Sequence, residues 1–271
     1  MAPADKQIID DFFRAGQSGM SREARAAKFQ AEDYVQHNPR FLKMDEITGK
    51  TGRAAWVAAG PEGVKRGVRL VDQGIAFRNP IILMAEGDLV HAVYRGRILD
   101  PTRPGQSYEA FAFETVRVRG GQFTEHWDGV RLAADWAMQR AAPAAEQLPP
   151  VARAEREPRT PCTFTAAETK ANKAVVDTYL ARSPQERPAM RTAGYVEHDP
   201  RSAAARVDPK GTVVLKIAEC DMVSVVWKLD LADPTTPGKR YQAFASDTFR
   251  LRGGKVSEHW NDAVIGRPPG E

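Results

Sequence analysis

The stretch Asp88–Gly129 recurs without a gap as Asp221–Asp262, and about half of its positions are identical. A chain that writes the same supersecondary unit twice builds one fold twice, so this repeat constrains the architecture more than any composition value. "GGQFTEHWDG" from Gly120 returns as "GGKVSEHWND" from Gly253, with Asn261 where the first copy has Asp128. Upstream, "YVQHNPR" (Tyr34–Arg40) matches "YVEHDPR" (Tyr195–Arg201), and "KQIIDDFF" resembles "NKAVVDTY". Between these anchors the second copy is shorter. The Pro- and Ala-rich segment 141–161 reads as a linker, which gives two domains, 1–140 and 162–271.

A length of 271 residues accommodates two such units. The net charge of +4 is spread along both halves. It has none of the concentrated basic face that nucleic-acid binding needs. No apolar run approaches a membrane span, and the N-terminus shows no signal-peptide pattern. Cys162 and Cys220 are the only cysteines. They form no CxxC pair, which excludes a thiolate zinc site, and they read as two thiols of a reducing, cytoplasmic compartment rather than a disulfide.

Each half starts helical. Ile8, Ile9, Phe12 and Phe13 recur at helical spacing behind Asp5, and Thr165 caps the matching helix of the second half. "SREARAAKFQAEDY" reads as a second helix. "TGRAAWVAAG", stopped at Gly60-Pro61, reads as a third, which the second copy lacks. "DLVHAVYRGRI", "QSYEAFAFETVRVR" and "QFTEHWDGV" read as successive antiparallel strands, the last two joined at Gly120-Gly121 as a tight hairpin. Helices followed by a sheet indicate an α+β class.

The ordered set Tyr-Val-Gln-His-Asn-Pro, Gly-Asp-Leu-Val and Arg-x-x-Gly-Gly-x-x-x-Glu-His-Trp-Asp, found twice, resembles the SnoaL-like branch of the NTF2-like superfamily. The resemblance implies two tandem cone-shaped barrels, each a curved antiparallel sheet wrapped on helices, with a ligand site inside. It also implies acid–base chemistry beside a carbonyl with no cofactor. Relatives include polyketide cyclases, which close a ring by an aldol step, and lyases of lignin-derived aromatic diols, which release formaldehyde. Chains of this group pair through their sheets, so the tandem chain carries an internal pseudo-dimer, with further pairing of chains left open.

The candidate catalytic residues are His37, His91, Glu125 and Asp128. Strict alternation along "FTEHWDG" sets Phe123, Glu125 and Trp127 on the inner face, where an apolar wall raises the Glu125 carboxyl toward neutrality. Alternatively, Glu125 holds the hairpin or an arginine, and a bulge turns Asp128 inward. Tyr34, Tyr94, Arg95, Trp127 and His126 are the candidate substrate contacts, with Arg95 or Arg97 steadying an oxyanion. No HxH or HExxH pair marks a metal; the one combination open to a metal is His37, His91 and a carboxylate. The loss of His91 (to Ser224), of Asp128 and of the third helix marks the second half as degenerate, with neutral drift as the other reading. These features fit an enzyme for a small aromatic or polyketide-like hydroxy or carbonyl compound. It would be a retro-aldol lyase or an aldol cyclase/isomerase, against a non-catalytic binding or scaffold module.

Overall fold

The computed structural model describes residues 5–65, 80–132, 164–201 and 211–265. The first half runs α1 (Gln7–Gln17), α2 (Arg22–Phe29), β1 (Gln30–Gln36), α3 (Pro39–Thr48), α4 (Gly52–Lys65), β2 (Pro80–Glu86), β3 (Leu89–Leu99), β4 (Ser107–Arg119) and β5 (Gln122–Asp128). The second runs α5 (Ala166–Ala181), a 3-10 turn (Arg187–Met190), β6 (Arg191–Glu197), β7 (Gly211–Glu219), β8 (Met222–Ala232), β9 (Arg240–Arg252) and β10 (Lys255–Asn261). The strand orders, β1-β5-β4-β3-β2 and β6-β10-β9-β8-β7, are the same path drawn twice. The linker 141–161 lies outside the described residues.

Each sheet is mixed and not purely antiparallel, because β1 pairs with β5, and β6 with β10, in parallel. The second helix ends early. "QAEDY", expected to extend it, forms β1, which pairs with β5, and in its second part Tyr34 and Gln36 are buried with Val35 exposed between them. That alternation has period two, so sheet pairing overrides a helical propensity. Helix α3 was not foreseen, and α4 continues past Gly60-Pro61 to Lys65. Among the described residues of the second half, neither α3 nor α4 has a counterpart. Both glycines of each hairpin have positive φ, +57° and +76° at Gly120-Gly121 and +56° and +73° at Gly253-Gly254. That backbone twist matches the strands and suits glycine. Thr165 and Glu168 form a complete capping box on α5.

The helices of the first half cover one face of its sheet and bury Ile9, Phe12, Phe29, Trp56, Tyr94 and Phe123 against it. The opposite face packs on the second half. Ile82, Met84, Val93 and Phe111 join Ile217, Met222 and Trp260, while Phe113 and Trp127 join Val226 and Phe244. The contacts repeat about a two-fold axis. Glu86 accepts the Ala218 N–H and pairs with Lys173; Glu219 accepts the Ala85 N–H and pairs with Lys6. Lys6 and Lys173 thus occupy equivalent places, so in the N-terminal repeat Lys6 matches Lys173 and not Asn172. The tails are also exchanged. After β5 the chain crosses, and the Leu132 N–H donates to Tyr241 Oη. After β10 it crosses back, where the Ile265 N–H donates to Tyr108 Oη and Val264 enters the first core.

Cys220 is disulfide-bonded, which corrects the expectation of two thiols and removes the argument it gave for a reducing compartment. Cys162 lies outside the described residues. No helix among the described residues is long and apolar enough to cross a membrane.

Candidate active site

A bulge decides which side chains face inward. Val118 pairs with Phe123 but Arg117 pairs with Glu125, so Thr124 is an extra residue, its hydroxyl donating to the Arg117 carbonyl. Ser257 does the same for Arg250 in the second half. One extra residue reverses every face beyond it. Phe123 remains inside, Glu125 and Trp127 turn out toward the second half, and His126 and Asp128 turn in. The rows across the sheet agree. Leu83, Ala92, Glu114 and Asp128 form one inward row, and Ala85, Val90, Val116, His126 and Gln36 the next. Met84, His91, Thr115 and Trp127 form an outward row between them.

Four of the sequence candidates therefore lie at the contact between halves. Glu125 is held by Arg117 (3.3 Å) and His37 (3.6 Å). The His37 ring stacks on Trp127 at 4.9 Å and meets Phe244 of the other half edge-on. His198 repeats this between Trp260 and Phe111. His91 is fully buried, its Nδ1 on Thr115 and its Nε2 on Thr248 and Ser224. Burial lowers its pKa to about 3. Arg95 pairs with Phe111 on the same outward face, and Arg97 is tied to Ser107. None of these six side chains, Trp127 included, lines the interior. Tyr34, Tyr94, His126 and Asp128 do.

Inside, Glu114, His126 and Asp128 are all buried and bring one ligand atom each within 4.8 Å of the others. The Asn38 N–H donates to Gln36 Oε1, which turns the Gln36 amide nitrogen toward His126 Nδ1 at 2.9 Å. Tyr34 Oη also reaches Nδ1 at 2.9 Å. Nδ1 is thus the acceptor, and the ring proton sits on Nε2, facing Glu114. Burial, with His37 adding to it, lowers His126 to about 3. Burial and then the charge of Asp128 push Glu114 well above the usual carboxylate range. Burial and the charges of Glu114 and Asp128 likewise raise Tyr34 and keep its phenol protonated. The Asp128 oxygens accept from Asn38 Nδ2 (2.8 Å) and the Val130 N–H (3.0 Å). The interior thus sets a neutral imidazole and a carboxyl raised by burial beside Asp128, whose oxygens accept two hydrogen bonds. A nitrogen and two carboxylates are also a ligand set for a divalent ion; the proposed metal combination of His37 and His91 is not assembled.

Glu114 was not singled out in the sequence. Its signal was an acid on the inward parity of "EAFAFETVRV", matched by Asp247 in the second copy.

The second half rewires this network and retains its acids. Asp199 and Asn261 stand where the first half has Asn38 and Asp128, and Asn261 Nδ2 donates to Asp199 at 2.9 Å. The amide and the acid have exchanged strands, so the negative end of the pair has moved and not vanished. Glu197 replaces Gln36, and Asp247 replaces Glu114. His259 bridges both, each nitrogen 2.7 Å from a carboxylate oxygen. Trp227, in the place of Tyr94, donates to Asp247. The second half therefore keeps titratable groups in its interior, although the counterparts of Asp128 and His91 are not among them. Asn38→Asp alone should set two carboxylates against each other and lower stability in denaturant titrations by about 2–4 kcal/mol. Adding Asp128→Asn should restore most of it, as in the second half; no recovery would show that the exchange is not compensatory.

No family model matches the chain, and no curated protein matches it. Solved structures do. One is an NTF2-like protein of unknown function from Burkholderia pseudomallei, 14% identical, covering 46% of this chain and 90% of its own, with a TM-score of 0.32. A putative polyketide cyclase from Pseudomonas putida is 22% identical, covering 50% of this chain and 97% of its own, with a TM-score of 0.29. A protein from Catenulispora acidiphila with a ketosteroid isomerase-like fold, solved with trimethylamine, is 23% identical and covers 46% and 85%, with a TM-score of 0.26. Each covers about half of this chain and most of its own length.

Proposed function

We propose that the first half is a cofactor-independent acid–base enzyme acting on a small hydroxy or carbonyl compound of aromatic or polyketide type. The observation that carries this reading is the buried Glu114–His126–Asp128 group, in which burial and the Asp128 charge raise the Glu114 carboxyl while Asp128 accepts from Asn38 and the Val130 N–H. Asp128 takes a proton, from a hydroxyl for carbon–carbon cleavage or from the carbon beside a carbonyl for closure or isomerisation. In the retro-aldol direction the hydroxyl proton leaves, the C–C bond breaks to an aldehyde, and the carbanion is protonated by Glu114. The aldol direction is the reverse, and neither needs an oxidant. His126 and Tyr34 orient Glu114 and keep the charge on Asp128. The first half is the working half because α3 and α4 close its interior.

The test is a metal-free screen of aromatic β-hydroxy compounds and polyketide-like ketones, reading aldehyde release and exchange of the α-proton for deuterium. Activity should survive exhaustive chelation. Loss on chelation, restored by a divalent ion, would instead assign Glu114, His126 and Asp128 to a metal. The competing reading, a non-catalytic binding module, predicts neither aldehyde nor exchange while ligands still bind.

A further inference from the structure

Arg22 enters the first interior from the start of α2, where Ser21 Oγ caps the helix by accepting the Ala24 N–H. Its Nε donates to the Trp56 carbonyl at 2.8 Å, and its guanidinium lies 3.5 Å over the Trp56 ring and 5.6 Å from that of Phe41. Its Nη2 is buried, and no residue among those described accepts from it. Burial, and next the like charge of Arg25, pull the Arg22 pKa down to about 10. The Tyr34 phenol, bonded to His126, feels the same charge. Gln30 lies in the same interior, paired with Phe123 at the head of β1. It is fully buried, and neither end of its amide meets a partner among the described residues.

A guanidinium that spends one donor on a backbone carbonyl and leaves a buried one unmet is costly. An arginine on an aromatic face, within electrostatic reach of the Tyr34 phenol that bonds His126, is also an arrangement that can receive an oxyanion. We infer that Arg22 is the receptor for an anionic oxygen of the substrate, a ring carboxylate or a phenolate/enolate, with the Gln30 amide taking a neutral hydroxyl or carbonyl. This rests on the active-site reading above and narrows its substrate class to compounds that carry, or develop, negative charge on oxygen. In the reaction Arg22 is a positioning residue: it fixes the oxygen while Asp128 and Glu114 move protons.

The experiment uses the full chain with benzoate, 4-nitrophenolate and the neutral isostere benzamide as probes, by calorimetry. Benzoate or 4-nitrophenolate should bind about 10–100-fold more tightly than benzamide, the range for one desolvated charged hydrogen bond. The anion preferred separates the carboxylate from the phenolate source. Arg22→Met should erase the preference without loss of thermal stability, and Arg22→Lys should retain part of it. Glu114→Gln should leave it in place, so a failed catalytic reading and a failed anion reading give different results. Equal binding of all three probes, or a preference that persists in Arg22→Met, would overturn the inference.

Discussion

Glu114→Gln should lower turnover by at least about 10²-fold, the usual contribution of a positioned acid or base, and should raise stability at neutral pH. The two effects have one cause. Burial and the Asp128 charge raise the Glu114 carboxyl above its unfolded value. Its contribution to stability is therefore present below the unfolded pKa and is lost as the pH rises toward the folded one. Glutamine keeps the shape and the acceptor for His126 Nε2–H but has no proton to lose. Denaturant titration at pH 7.5 beside steady-state rates would check both. A variant that is both slower and less stable would make Glu114 a packing residue. Glu125→Gln, the choice strict alternation favoured, should leave turnover within about threefold, because that carboxylate sits outside the interior between Arg117 and His37.

Acid should unfold the protein early, and His91 should account for much of it. The ring is buried and neutral, with a folded pKa of about 3 against an unfolded value near 6.5. The folded state thus binds fewer protons than the unfolded chain between these values. Stability is complete above about pH 6.5 and falls progressively toward pH 3, by on the order of 5 kcal/mol for this residue. His126 adds a loss of the same sign. His91→Gln retains a neutral donor and acceptor for Thr115, Thr248 and Ser224, so it should flatten the acid limb while changing stability little at pH 7.5. Equal acid limbs in the two proteins would show that His91 does not carry this dependence. A catalytic His91 would instead reveal itself in turnover at neutral pH.

The repeat, the three strands β3, β4 and β5 with their copies, and the glycine hairpins were legible because they rest on chemistry written at fixed spacing. Gly120-Gly121 and Gly253-Gly254 have little choice of turn. The inward face of β5 was harder to see, since one unpaired residue, Thr124, reverses it and alternation alone carries no record of a bulge. The hydroxyl retained at Thr124 and Ser257 is its trace. Strand β1 was hidden in a helix-prone run because its pairing partner lies about ninety residues away in sequence. Asn38 and Asp128 are equally far apart. Their exchange with Asp199 and Asn261 appears as a lost acid when either position is read alone, and only the contact between them shows that the pair survives.

His91 and Ser224 occupy the same place in the two copies, on opposite sides of the contact between halves. If identical subunits met there, every substitution would arrive twice, and the axis would carry two imidazoles or two hydroxyls. Fusion halves that mutational step. A single change then gives an imidazole facing a serine, a lock whose two sides differ. Such a lock favours joining a first copy to a second over joining either to its own kind. The same freedom lets one interior keep a neutral histidine while the other places its histidine between two acids. Covalent linkage here relaxes symmetry as well as raising local concentration, and two once-equal halves can specialise without losing each other.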